Sequence, residues 1–166
     1  MSRIENYVAA IRAALRNPAA PRVIQLCAPN GFGKTAVARS FVETYGGHYF
    51  SFRHMEASLA PKLFRPGCAD WEDFFSGFQA AKNRPVIFFD DMDDRNDKDI
   101  FLEKLSVLKG AAFVVLIYRK ASLIPEKARK LTMKPIIPPD LCREYKKLDQ
   151  RDALRIIAMT DGIPAL

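Results

Sequence analysis

The chain has 166 residues, 49% hydrophobic and 27% charged, which suits one ordinary globular domain with enough length to bury a real core. No apolar run approaches the roughly 18 residues that would span a bilayer, and the stretch from Met1 to Tyr7 lacks the apolar region of a secretory signal, so a cytoplasmic protein without membrane partners is expected. Cys27, Cys68 and Cys142 are too few and too scattered for a disulfide framework or a zinc site, and the net charge of +7 is dispersed, favouring a basic soluble surface over a dedicated nucleic-acid face.

Residues 3–16 place Ile4, Tyr7, Val8, Ile11 and Leu15 on one side of an amphipathic helix that Asn17-Pro18 ends. Ala19 to Arg22 link it to Val23–Cys27, a buried strand. Ala28-Pro29-Asn30-Gly31-Phe32-Gly33-Lys34-Thr35 follows and opens a helix from Ala36 to Tyr45. This segment fits G-x-x-x-x-G-K-[ST] at every fixed position but the first, where Ala28 stands for glycine. Backbone N–H groups from Pro29 to Ala36 are expected to curl around phosphate at the helix N-terminus, Pro29 shaping the turn without a donor of its own. In this arrangement Asn30, Gly31, Phe32 and Gly33 form the cradle, Lys34 reaches the β and γ oxygens, and the Thr35 hydroxyl ligates Mg²⁺. Ala28 costs something only if its position needs positive φ.

Gly46-Gly47 stops the helix, and His48 to Arg53 reads as a second strand. Residues 57–68, with Pro61, Pro66 and Gly67, read as irregular. Asp70 caps a helix whose Trp71, Phe74, Phe75 and Phe78 form a core stripe. Val86–Phe89 is a continuous apolar strand that delivers Asp90 to its carboxyl end, where open α/β sheets bind ligands; Asp90 is the expected metal carboxylate. Asp91 occupies the place of a water-activating acid, but aspartate is one methylene shorter than glutamate, which leaves Asp93 or Asp94 as substitutes. The aspartates from Asp90 to Asp99 do not make a calcium loop, because Asn96 and Leu102 stand where glycine and glutamate are needed.

A helix is expected over 97–109 up to Gly110, then a strand from Ala111 to Tyr118, a helix over 122–130, a short strand from Thr132 to Ile137, and helices near 140–146 and 150–159. Arg119, at the end of the fourth strand, is the candidate γ-phosphate sensor, and Arg129 a weaker one. His48 and His54 read as structural. The alternation predicts an α/β fold with a parallel sheet covered on both faces.

With these motifs placed, the chain resembles the archaeal-type ATPase family of the STAND and AAA+-like P-loop NTPases. The phosphate loop, the Trp71-to-Phe75 helix, Asp90-Asp91, Tyr118-Arg119 and the tail with Gly162-Ile163-Pro164 carry the likeness, over about residues 19 to 166 after an N-terminal helix at 1–18. The resemblance implies a three-layer core with a five-stranded parallel sheet in the order 5-1-4-3-2 and ATP with Mg²⁺ as ligands. It implies Lys34, Asp91 and Arg119 as catalytic groups, and a switch acting on a protein partner or a second copy. Members of that family continue into a helical lid or winged-helix domain where this sequence stops, so residues 19–166 are expected to be either an excised nucleotide-binding domain or a natural minimal version. Three readings follow: an ATPase or ATP-operated switch, a nucleotide-binding module that hydrolyses poorly, and a small-molecule kinase using the basic stretch from Arg119 to Lys134.

Overall fold

The computed structural model describes residues 2–17, 22–53, 59–79, 84–94, 101, 103, 105, 112–119, 128–135, 139, 142 and 145–160. Helix α1, Arg3–Arg16, opens with a capping box in which the Ser2 hydroxyl accepts from Glu5 N–H while Glu5 accepts from Ser2 N–H. Strand β1, Val23–Cys27, leads through the phosphate loop into α2, Lys34–Tyr45. Strand β2 is His48–Ser51, followed by the short α3, Ala60–Phe64, and by α4, Trp71–Gln79. Then come β3, Val86–Asp90, a 3₁₀ turn at Met92–Asp94, β4, Phe113–Tyr118, β5, Arg129–Thr132, and α5, Gln150–Thr160.

All four strand pairings are parallel, and the order β2-β3-β4-β1-β5 is the expected 5-1-4-3-2 read from the other edge. Strand alternation divides the core. Ile24, Leu26, Phe88, Val115 and Ile117 face α1 and α2 with Val8, Ile11, Val37 and Phe41. Cys27, Ile87, Phe89, Val114 and Leu116 face the opposite layer, where Trp71, Phe74, Phe75 and Phe101 build an aromatic cluster. There the Trp71 and Phe101 rings meet edge to face with centroids 4.9 Å apart, and Phe89 meets Phe101 in the same way at 5.0 Å. The Trp71–Phe78 stripe is therefore core.

Several boundaries differ from the sequence expectation. Strand β5 is Arg129–Thr132 rather than 132–137, pairing Ile24 with Arg129 and Cys27 with Thr132. An edge strand leaves one side to water, so Arg129 and Lys130 are tolerated while Leu131 packs inward. The helix expected over 122–130 consequently does not reach 129 and 130, and its residues 122–127 lie outside the described set. Strand β2 stops at Ser51, because the chain leaves β3 at Asp91 and no partner remains for Arg53. Within the supposedly irregular 57–68, α3 forms with Pro61 in its first turn, where a missing N–H costs nothing. Phe101, Glu103 and Leu105 are helical, as is Cys142; the rest of the helices expected over 97–109 and 140–146 is not described, apart from the turn that includes 145 and 146. No helix among the described residues is long and apolar enough to cross a membrane.

Gln25, on central strand β1, is fully buried with neither amide atom hydrogen-bonded. Desolvating an amide without a partner is costly. Gln25→Met, of similar length, is therefore expected to stabilise the fold by roughly 1–3 kcal/mol, read as a higher urea midpoint at unchanged slope.

Candidate functional site

The carboxyl ends of β1, β3 and β4 open into one cavity of about 620 Å³. Its walls carry Asn30, Gly31, Gly33, Lys34, Thr35 and Ala36 from the loop and first turn of α2, together with Asp90, Asp91, Asp93, Arg39, Arg53 and Arg119. Gly31 and Gly33 have φ of 79° and 83°, the left-handed region that favours glycine. Gly33 is the N-cap of α2 and contributes no capping side chain, so the first-turn N–H groups are left for an anion. Ala28 is buried and not at positive φ, which explains why alanine serves where the motif has glycine.

Pro29 and Phe32 do not line the cavity; Pro29 is exposed. The Phe32 ring is buried against the α1–α2 layer, and its carbonyl accepts from Arg3 Nη1 at 2.9 Å. Arg3 is itself buried, and its Nη2 donates to the Lys134 carbonyl, so one guanidinium ties α1 to the loop and to the segment after β5. Nothing in the sequence pattern singled out Arg3.

The Lys34 ammonium is buried and donates to the Ala28 carbonyl at 2.6 Å and the Pro29 carbonyl at 2.8 Å. Burial pushes its pKa down, while the neighbouring Asp90 charge opposes that shift. Asp90 is buried, 2% exposed, and both of its carboxylate oxygens are engaged. Its Oδ2 accepts from Thr35 Oγ1 at 2.6 Å and from the Tyr49 hydroxyl at 2.8 Å, and its Oδ1 accepts from Asp91 N–H at 2.8 Å. Burial first, and then the Asp90 carboxylate, push the Tyr49 phenol up, so it stays a donor throughout the physiological range. Tyr49 was missed at the sequence level; its only signal was the alternation of polar and aromatic residues along β2.

Asp91 is the one non-glycine residue with positive φ among the described residues, at 58°. Aspartate tolerates this region better than most residues. The turn brings its carboxylate to β2, where Ser51 Oγ donates to Oδ2 at 2.7 Å. Asp93 faces β4 instead: its Oδ2 accepts the Arg119 N–H and lies 3.7 Å from Arg119 Nε. The Asp94 side chain, His54, Asp97, Asp99, Lys120 and the tail 161–166 lie outside the described set. Arg129 sits at the far end of β5, beside Ile24, and does not line the cavity.

The donor set suits a hard divalent cation with a polyphosphate. Thr35 and Asp90 present hydroxyl and carboxylate oxygens, the chemistry Mg²⁺ prefers, and an uncapped helix start and a desolvated ammonium lie beside them.

No curated protein matches this chain. Among solved structures, it superimposes on a Walker-type ATPase of Pyrococcus abyssi with a TM-score of 0.65 at 13% identity, over 99% of this chain and 65% of that one. A STAND protein with a tetratricopeptide repeat sensor from Pyrococcus horikoshii gives 0.61 at 15% identity, over 96% of this chain and 28% of that one. The FIGL-1 AAA domain in complex with ADP gives 0.61 at 19%, over 93% of this chain and 60% of that one. At these identities the likeness is one of fold, and this chain spans less than two thirds of each of those chains. The sequence profile of the ATPase family associated with various cellular activities matches residues 24–117, more than half of the chain and the stretch from Ile24 in β1 to Ile117 in β4 that carries the loop and both acids. The chain belongs to that family, the AAA ATPases.

Proposed function

We propose that this chain binds ATP with Mg²⁺ in the cavity at the carboxyl ends of β1, β3 and β4 and hydrolyses it slowly, as the core of an ATP-operated switch or motor. One observation carries this reading: the 2.6 Å bond from Thr35 to Asp90, which joins the phosphate loop to the acid of β3 beneath an open helix N-terminus. Gly31, Gly33, Thr35 and Ala36 offer backbone N–H groups to the phosphates. Lys34 exchanges two carbonyls for phosphate oxygens, recovering the interaction that burial denies its charge. Thr35 and Asp90 would hold Mg²⁺, which supplies neutralisation of charge on the β and γ phosphates when bound. The remaining stabilisation of charge developing on the transferred group falls to Lys34 and the α2 N-terminus.

Asp91 is the group that would orient or deprotonate the attacking water. In the arrangement seen here its carboxylate is engaged by Ser51, and its backbone is held by the bond to Asp90. That engagement is the reason for expecting slow turnover, and it favours the second reading, a nucleotide-occupancy module, if the Ser51 bond survives ATP binding. Arg119 would sense the γ-phosphate only by leaving Asp93. A protein partner, or a second copy of the chain, that pulls on these contacts would set the rate. The STAND-like and AAA-like folds of the similar structures are consistent with such control.

Calorimetry with ATP, with and without Mg²⁺, tests the binding half. Wild type should bind, and Lys34→Ala should lose about tenfold or more, since a charge-assisted contact is removed. Equal affinities for the two proteins would remove the phosphate loop from the account. Single-turnover phosphate release tests the chemical half. Asp91→Asn should slow release by about 100-fold or more, the usual contribution of a positioned general base. Ser51→Ala should speed it several-fold by freeing Asp91, on the order of the loss of one hydrogen bond. A slower Ser51→Ala protein would mean that Ser51 supports Asp91 instead of restraining it.

A further inference from the structure

The polar side of β2 continues past the strand. Phe50 and Phe52 turn into the aromatic core, while Tyr49 grips Asp90 and Ser51 grips Asp91. Arg53 is the next residue in that alternation, and its exposed side chain lines the nucleotide cavity. Its backbone is fixed beside the acids. Arg53 N–H donates to Ser51 Oγ at 3.2 Å, the same hydroxyl that donates to Asp91 at 2.7 Å, and Phe52 N–H donates to the Asp90 carbonyl at 3.1 Å.

Sheet order puts β2 and β4 on either side of β3, so Arg53 and Arg119 flank Asp90 and Asp91 from opposite directions. Their engagement differs. Arg119 is committed to Asp93 through both its N–H and its side chain. Arg39, the third arginine of the cavity, lies over the Tyr49 ring with its guanidinium carbon 5.4 Å from the centroid. Among the described residues Arg53 pairs with no carboxylate, although its backbone shares the Ser51 hydroxyl with Asp91. A guanidinium in a cavity with three aspartates, paired with none of them, is available to another anion. Its planar fork of donors suits a phosphate.

We propose that Arg53 binds the terminal phosphate of a nucleoside triphosphate from within the same chain, and that it makes the site prefer the triphosphate to the diphosphate. This rests on the nucleotide reading above. In a loop of this type the backbone cradles the inner phosphates, and Lys34 with the Thr35–Asp90 pair marks the β and γ positions. Outward from that pair toward β2, the groups presented are Asp91 and Arg53. The diphosphate has no group there, so the contact with Arg53 exists for the triphosphate alone.

The test is calorimetric titration of the whole chain, in Mg²⁺, with ADP and with an ATP analogue whose β–γ bridge is nitrogen. Wild type, Arg53→Ala and Arg53→Lys are compared, with thermal melting of each. Arg53→Ala should weaken the triphosphate analogue by roughly tenfold or more and leave ADP within about twofold of wild type. Arg53→Lys should recover only part, because an ammonium cannot form the bidentate fork. Melting temperatures should be unchanged, since the side chain is exposed. Equal weakening of both nucleotides, or no change in either, would overturn the assignment and leave Arg53 a solvated strand-end charge. ADP binding to wild type separates the two levels. If ADP binds and Arg53→Ala shows no selective loss, only this assignment fails; if neither nucleotide binds wild type, the nucleotide reading fails and takes the assignment with it.

Discussion

The hydrogen bond from Thr35 Oγ1 to Asp90 Oδ2 is the contact on which the site depends. It joins the element after β1 to the end of β3, two strands that do not touch, because β4 lies between them. The contact therefore requires the whole parallel arrangement: β1 on β4, β4 on β3, and both loop and acid at the same end of the sheet. The acid is buried, and a buried carboxylate is tolerable only when its oxygens are satisfied. Thr35, Tyr49 and the Asp91 N–H do this together, drawn from α2, β2 and the turn after β3.

From this contact the site reads as a set of groups each engaged by a partner within the protein. Lys34 is held by two loop carbonyls, Thr35 by Asp90, Asp91 by Ser51, and Arg119 by Asp93. Ligand binding at such a site is an exchange of partners. Its net strength is the difference between two sets of hydrogen bonds, which is smaller than the set gained. The loop is also tied by Arg3 to α1 and to the segment after β5, so it shares a buried guanidinium with two elements outside the cavity.

Much of this was legible in the sequence, for identifiable reasons. Val86–Phe89 and Phe113–Tyr118 are continuous apolar runs because their strands are covered on both faces, and such runs announce themselves. Gly33, Lys34 and Thr35 are legible because they fall on fixed positions of a known loop motif, and the positive φ of Gly31 and Gly33 leaves few substitutes there. The edge was not legible: Arg129–Thr132 is polar because β5 has one neighbour, so apolar Ile136-Ile137 drew the expected strand downstream. Tyr49, Ser51 and Arg53 were hidden for another reason. Tyr49 and Ser51 bond partners distant in sequence, Asp90 and Asp91, and only the register of Ser51 beside Asp90 brings them, and Arg53 after them, to the site. The positive φ of Asp91 was equally invisible, since aspartate adopts either backbone region without a compositional signature.

The most direct test of the account is the linkage between Mg²⁺ and ATP. Calorimetry would give the affinity for ATP in chelator and in saturating Mg²⁺, for wild type and for Asp90→Asn. If the Thr35–Asp90 pair holds the metal, Mg²⁺ should tighten ATP binding to wild type by about tenfold or more. In Asp90→Asn that enhancement should vanish, while metal-free affinity stays close to wild type. An equal enhancement by Mg²⁺ in both proteins would contradict the account and place the metal elsewhere.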